Sequence, residues 1–116
     1  MPLEPDPPPR YGIALDAAIA LTQAGLRVYA TVESAHPSVQ LCDSEPASIE
    51  LAVAVATPGA TVTYDLRPDG YGGVYGTWAA DDGRLHLHGT CSADLARQHG
   101  AVEPAPHDVI AAAVAK

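Results

Sequence analysis

The sequence predicts an α+β domain in which helices pack on one face of a single antiparallel sheet of about five strands. Some segments alternate apolar and polar residues, as half-buried strands do, and others repeat apolar residues at helical spacing. The last three predicted strands are joined by turns so short that these strands must be antiparallel neighbours. One sheet with a helical layer buries both kinds of apolar face.

The N-terminal part of the chain divides into a leader and a first helix. Five of the first ten residues are proline, so residues 1–10 are predicted to form a disordered, proline-rich leader. Residues 11–116 then form a single domain, a length usual for one core. Apolar residues at helical spacing predict a helix over Tyr11–Ala24, and Gly25 follows it as a C-terminal cap.

Two strands and a second helix are predicted next. Leu26–Glu33 alternates strictly and Ser38–Cys42 more briefly, so both are predicted strands. Ser44–Ala56 is compatible with a strand because its apolar residues alternate. We predict a helix there because alanine is frequent, Ser44-Glu45-Pro46 is a good helix start, and Thr57-Pro58-Gly59 is a good stop.

A three-stranded meander and two short helices complete the prediction. The turn over 67–70 has proline and glycine where a tight turn needs them, and 81–83 has the Asp-Asp-Gly of a second hairpin turn. The predicted elements are the strands Ala60–Leu66, Tyr71–Ala79 and Arg84–Gly89, and the helices Ser92–His99 and His107–Ala115.

The charge balance excludes two classes of partner. Fourteen acidic residues against six basic ones give a net charge of −8. Direct binding to nucleic acid or to an anionic membrane surface requires a basic patch, and the basic residues here are scattered singly. Without a secretory pattern, a long apolar run or a cysteine framework, the chain is expected to be cytoplasmic. The absence of Phe and Asn beside abundant Ala, Gly and Pro suggests a high-GC bacterial or phage origin.

The leading functional prediction is a small acidic, non-enzymatic interaction protein without a cofactor, such as a regulator, inhibitor or immunity-type factor. Tyr71 and Tyr75 are predicted to share one face of the fourth strand, and tyrosine is common in contact surfaces. The carboxylates of Asp69, Asp81 and Asp82 are expected at the two ends of that strand. The predicted partner is therefore a protein with a basic surface, including a DNA-binding protein.

The alternative is an enzyme centred on His86, His88 and Cys91. Two histidines separated by one residue point to the same face of a strand and can bind one zinc ion. In this reading Cys91 supplies a third ligand, and Asp81 or Asp82 adds a carboxylate. Cys91 is also a candidate thiol nucleophile, since it is predicted to start a helix, with His88 as its base.

Overall fold

The structure is a computed structural model that describes residues 10–31 and 36–115. The predicted leader lies outside these ranges except for its last residue, Arg10, which begins the first helix. The last two residues of the first predicted strand, 32 and 33, also lie outside the described residues. The elements are α1 (Arg10–Gln23), β1 (Val28–Thr31), β2 (Ser38–Leu41), α2 (Pro46–Ala56), β3 (Val62–Pro68), β4 (Val74–Asp81), β5 (His86–Cys91), α3 (Ala93–Gln98) and α4 (Pro106–Val114).

The α+β class is confirmed, but the sheet is mixed and not purely antiparallel. Its strand order is β1-β2-β5-β4-β3. The pairs β1–β2, β5–β4 and β4–β3 are antiparallel, whereas β2 and β5 run parallel with Ser38 opposite His86. The short-turn argument applied only to β3, β4 and β5. Between β2 and β5 the chain inserts α2 and the β3–β4 pair, which is long enough for a parallel connection.

One face of the sheet contributes to the hydrophobic core. Alternate residues of the strands are buried there, including Leu41, Trp78 and Leu87. The same core cluster contains Leu21 of α1, Ile49 of α2 and Ala96 of α3. By contrast, α4 has no buried residue. Because side chains alternate along a strand, the intervening residues form the opposite face of the sheet.

The ambiguous segment is a helix, α2, as its composition predicted. Its start differs from the prediction, because Ser44 is not the cap. Instead Asp43 accepts hydrogen bonds from the backbone N–H of Glu45 (2.9 Å) and from the hydroxyl of Ser48 (2.7 Å). These bonds hold the pKa of Asp43 below its ordinary value, and the bond from Glu45 has the larger effect. Ser92 caps α3, because its Oγ accepts the backbone N–H of Leu95 at 3.1 Å.

Candidate functional site on the open face of the sheet

The face of the sheet opposite the core is polar, and we call it the open face. The strand register arranges its side chains in rows that cross the strands. Read from β2 or β5 toward β3, the three central rows are Ser38–His86–Asp81, Gln40–His88–Ala79–Thr63 and Thr90–Thr77–Asp65. Residues from four different strands therefore meet on one surface.

A groove of about 450 Å³ lies on the open face, and every residue that lines it belongs to a strand. In the second row, the small side chain of Ala79 lies between two sets of longer side chains. Gln40 and His88 are on one side of it, and Thr63 is on the other. Tyr75 of β4 lies directly opposite Arg67 of β3 in the strand register, and both residues border the opposite part of the groove. This variation in side-chain length makes a concave site on a surface that would otherwise be flat.

A carboxylate at one end of the open face binds two imidazoles. Asp81 Oδ2 lies 2.9 Å from His36 Nε2 and 3.3 Å from His86 Nδ1. Asp81 Oδ1 accepts the backbone N–H of Gly83 at 2.8 Å. The bond from Gly83, followed by the two imidazoles, holds the pKa of Asp81 below its ordinary value despite partial desolvation. Asp81 is therefore ionised at neutral pH and orients both rings.

His88 is more enclosed than His86. Its Nε2 is 3.1 Å from the hydroxyl of Ser38, and its ring stacks on that of His86 with centroids 5.2 Å apart. Burial, and then the neighbouring His86, lower the pKa of His88. The His88 imidazole is therefore neutral at pH 7, so it offers hydrogen bonding and no charge to the groove.

Cys91 does not join the two histidines. It ends β5 rather than starting a helix, and it is buried on the core face. His86 and His88 line the groove on the opposite face. Burial also raises the pKa of the Cys91 thiol, which disfavours the thiolate. Among residues 10–31 and 36–115, no group of three or more His, Cys, Asp or Glu side chains is arranged to hold a metal ion.

Asp69 and Asp82 hold turns at opposite ends of β4. Asp69 Oδ1 accepts the backbone N–H groups of Tyr71 (2.7 Å) and Gly73 (3.0 Å). Asp82 Oδ1 accepts those of Arg84 and Leu85, both at 2.9 Å. Desolvation acts to raise the pKa of Asp82, but the bonds from Leu85 and Arg84 outweigh it, so the pKa is lowered. These carboxylates therefore shape the turns as well as carrying charge.

The prediction that Tyr71 and Tyr75 share a strand face is wrong. The strand begins at Val74, so Tyr71 lies in the preceding turn with 81% of its surface exposed. The bonds to Asp69 and the positive φ of Gly72 (90°) extend this turn beyond the predicted four residues. Tyr75 does lie on the open face and is 39% exposed.

Several open-face residues were missed by the sequence reasoning. Asp65 and Arg67 alternate with the inward residues of β3, so their pattern did contain the signal. Gln40 alternates with Val39 and Leu41 in the same way. His36 gave no signal, because its bond to Asp81 joins residues 45 positions apart.

No protein-family model, curated protein or solved structure matches this chain. No helix among the described residues combines the length and apolar character needed to cross a membrane.

Proposed function

We propose that this chain is a non-enzymatic interaction protein that binds another protein through the open face of its sheet and the acidic turns beside it. The observation that carries the proposal is a concave polar sheet face, with every groove-lining residue on a strand. Tyr29 and Tyr75 are exposed at 69% and 39%. Partly exposed tyrosines beside polar groups are typical of contact surfaces.

The charge of the chain indicates the chemistry of the partner. The net charge is −8, and Asp69 and Asp82 stand at the two ends of β4. A partner with a basic surface is attracted to these turns at long range, and salt screens that attraction. Regulators, inhibitors and immunity-type factors of a basic or DNA-binding protein all fit this description.

The experiment is affinity capture from a host lysate at low and high salt, with charge variants compared. Alanine is unsuitable because Asp69 and Asp82 accept backbone hydrogen bonds in their turns. The test variant therefore changes Asp69, Asp81 and Asp82 to Asn, which keeps an acceptor oxygen and removes the charge. A matched control removes three charges from the helices and their flank, by Asp16→Asn, Glu45→Gln and Glu50→Gln.

We expect one defined basic protein to be captured at low salt, less at high salt, and little by the turn variant. The control should capture it as the wild type does. Capture that ignores both salt and the turn variant, or no specific capture, would contradict the proposal.

A second candidate function is catalysis that uses His86 as a general base. The observation in its favour is that Asp81 Oδ2 accepts a hydrogen bond from His86 Nδ1, which leaves Nε2 as the basic nitrogen of a groove-lining ring. The test is hydrolysis of p-nitrophenyl acetate and bis(p-nitrophenyl) phosphate by the pure protein. Turnover that His86→Gln abolishes supports this candidate, whereas equal rates in both proteins exclude it for these esters.

A further inference from the structure

We propose that the groove on the open face binds a small zwitterion, a free α-amino acid or a short peptide, with its carboxylate at Arg67 and its ammonium group at Asp65. The groove lies on the face through which we propose that the chain binds a protein. The zwitterion proposal does not rest on that partner, because it is tested on the pure chain in a separate experiment.

Two opposite charges in the groove carry the inference. Asp65 and Arg67 are two residues apart on β3, so their side chains share one face, and both line the groove. Within the described part of the chain, neither takes part in an ion pair or side-chain hydrogen bond, even with the other. Arg84 and Arg97, in contrast, are both paired with carboxylates. The groove thus offers one unpaired anion and one unpaired cation side by side.

Other residues of the groove offer uncharged hydrogen-bonding groups. Thr77, Thr90 and Gln40 supply hydroxyl and amide groups, and the lowered pKa of His88 keeps its ring neutral at pH 7. A volume of about 450 Å³ is within the range of small-molecule sites, and exceeds what one amino acid needs. A polar amino-acid side chain or a second residue can extend from β3 over Ala79 toward His88.

The charge pattern selects against simpler ligands. A pure anion would approach Asp65 and a chain of net charge −8. A pure cation would pair with Asp65 but would leave the charge of Arg67 unpaired beside it. A ligand that carries both charges pairs with both side chains at once, because each ligand charge faces its complement.

The experiment is titration of the ¹⁵N-labelled full chain at pH 7 with serine, glycylglycine, acetate and methylammonium, followed by NMR. The reporters are the backbone amides of β3 and β4 and the ring protons of His88. We expect serine or glycylglycine to shift these signals with a dissociation constant of about 1 mM or below. The tighter of the two identifies a free amino acid or a peptide as the source.

The matched variants separate the groove from general charge effects. Arg67→Gln and Asp65→Asn should each weaken zwitterion binding by about tenfold or more, as loss of a charged hydrogen bond does. Arg27→Gln and Asp16→Asn remove the same charges outside the groove and should leave binding unchanged. The dispersed spectrum of each variant verifies that it is folded.

Three results would overturn the proposal. These are binding of acetate or methylammonium as tight as that of the zwitterions, no groove shifts at about 20 mM of either zwitterion, and binding unaffected by both groove variants. Loss of the protein partner would not alter any of these measurements.

Discussion

The two faces of this sheet are made by the same strands but obey different constraints. On the core face, Gly76 and Gly89 lie where any side chain would collide with its surroundings. A Cβ at Gly76 would be 2.6 Å from Ser92 O and 2.7 Å from Cys91 Sγ. On the open face, Ala79 belongs to the same strand as Gly76 yet borders a groove. Stability is therefore concentrated on one face, which leaves the other available for recognition.

The core face is crowded because its few large side chains need small neighbours. The chain has no Phe and one Trp, and Trp78 is buried opposite Gly89. A Cβ at Gly89 would be 2.9 Å from Trp78 Nε1 and 3.0 Å from Leu41 O. Among the described residues, Trp78 Nε1 is also the one buried side-chain polar atom that has no hydrogen-bond partner. The indole ring therefore packs directly against the backbone of Gly89, which has no side chain.

The largest expected effect is at Gly76. Gly76→Ala should lower the free energy of unfolding by about 3 kcal/mol, because the clash is with backbone and with a buried sulfur atom. Chemical denaturation measures this value. The control is Gly12→Ala in α1, where a Cβ meets nothing within 4 Å and alanine favours the helix. Equal stability of the two variants would show that the core face is not crowded at Gly76.

The next effect is at the turn that joins β4 to β5. Asp82→Ala should lower the free energy of unfolding by about 1 kcal/mol, because two backbone N–H groups lose their acceptor. Asp82→Asn keeps an acceptor oxygen and should retain most of the stability. Thermal or urea unfolding of both variants makes the comparison, and an equal loss in both would assign the effect to charge instead.

A smaller effect is expected from pH at the open face. Burial lowers the pKa of His88, so the unfolded chain binds a proton at this residue more readily than the folded protein does. The contribution of His88 to stability is therefore complete above its unfolded pKa, near pH 6.5, and declines as pH falls toward the folded pKa. His88→Gln should lose less stability than the wild type between pH 7 and pH 5 in urea titrations. Identical pH profiles would show that His88 is not desolvated.

The smallest effect on stability is expected in the groove itself. Ala79→Leu should change the free energy of unfolding by less than about 0.5 kcal/mol, because the added side chain points away from the core. The same change should abolish zwitterion binding, since it fills the groove between His88 and the β3 charges. A large loss of stability with binding retained would reverse the assignment of the two faces.

Much of the fold was predictable from local sequence. Alternation placed Leu87 on one face and His86 and His88 on the other, and composition predicted the helix that spans Pro46–Ala56 although its apolar residues alternate. The same alternation separates Cys91 from the histidines. The prediction instead placed Cys91 at a helix start, although β5 continues two residues past Gly89.

Which strand residues face the core follows from the local sequence, because it depends on side-chain period and local propensity. The strand order and the parallel pairing of β2 with β5 depend instead on how the strands pack together. That pairing brings Ser38 to His88, and His36 to Asp81, across 50 and 45 residues. Contacts over such separations depend on which strands bury the shared core together, and no local pattern encodes that choice.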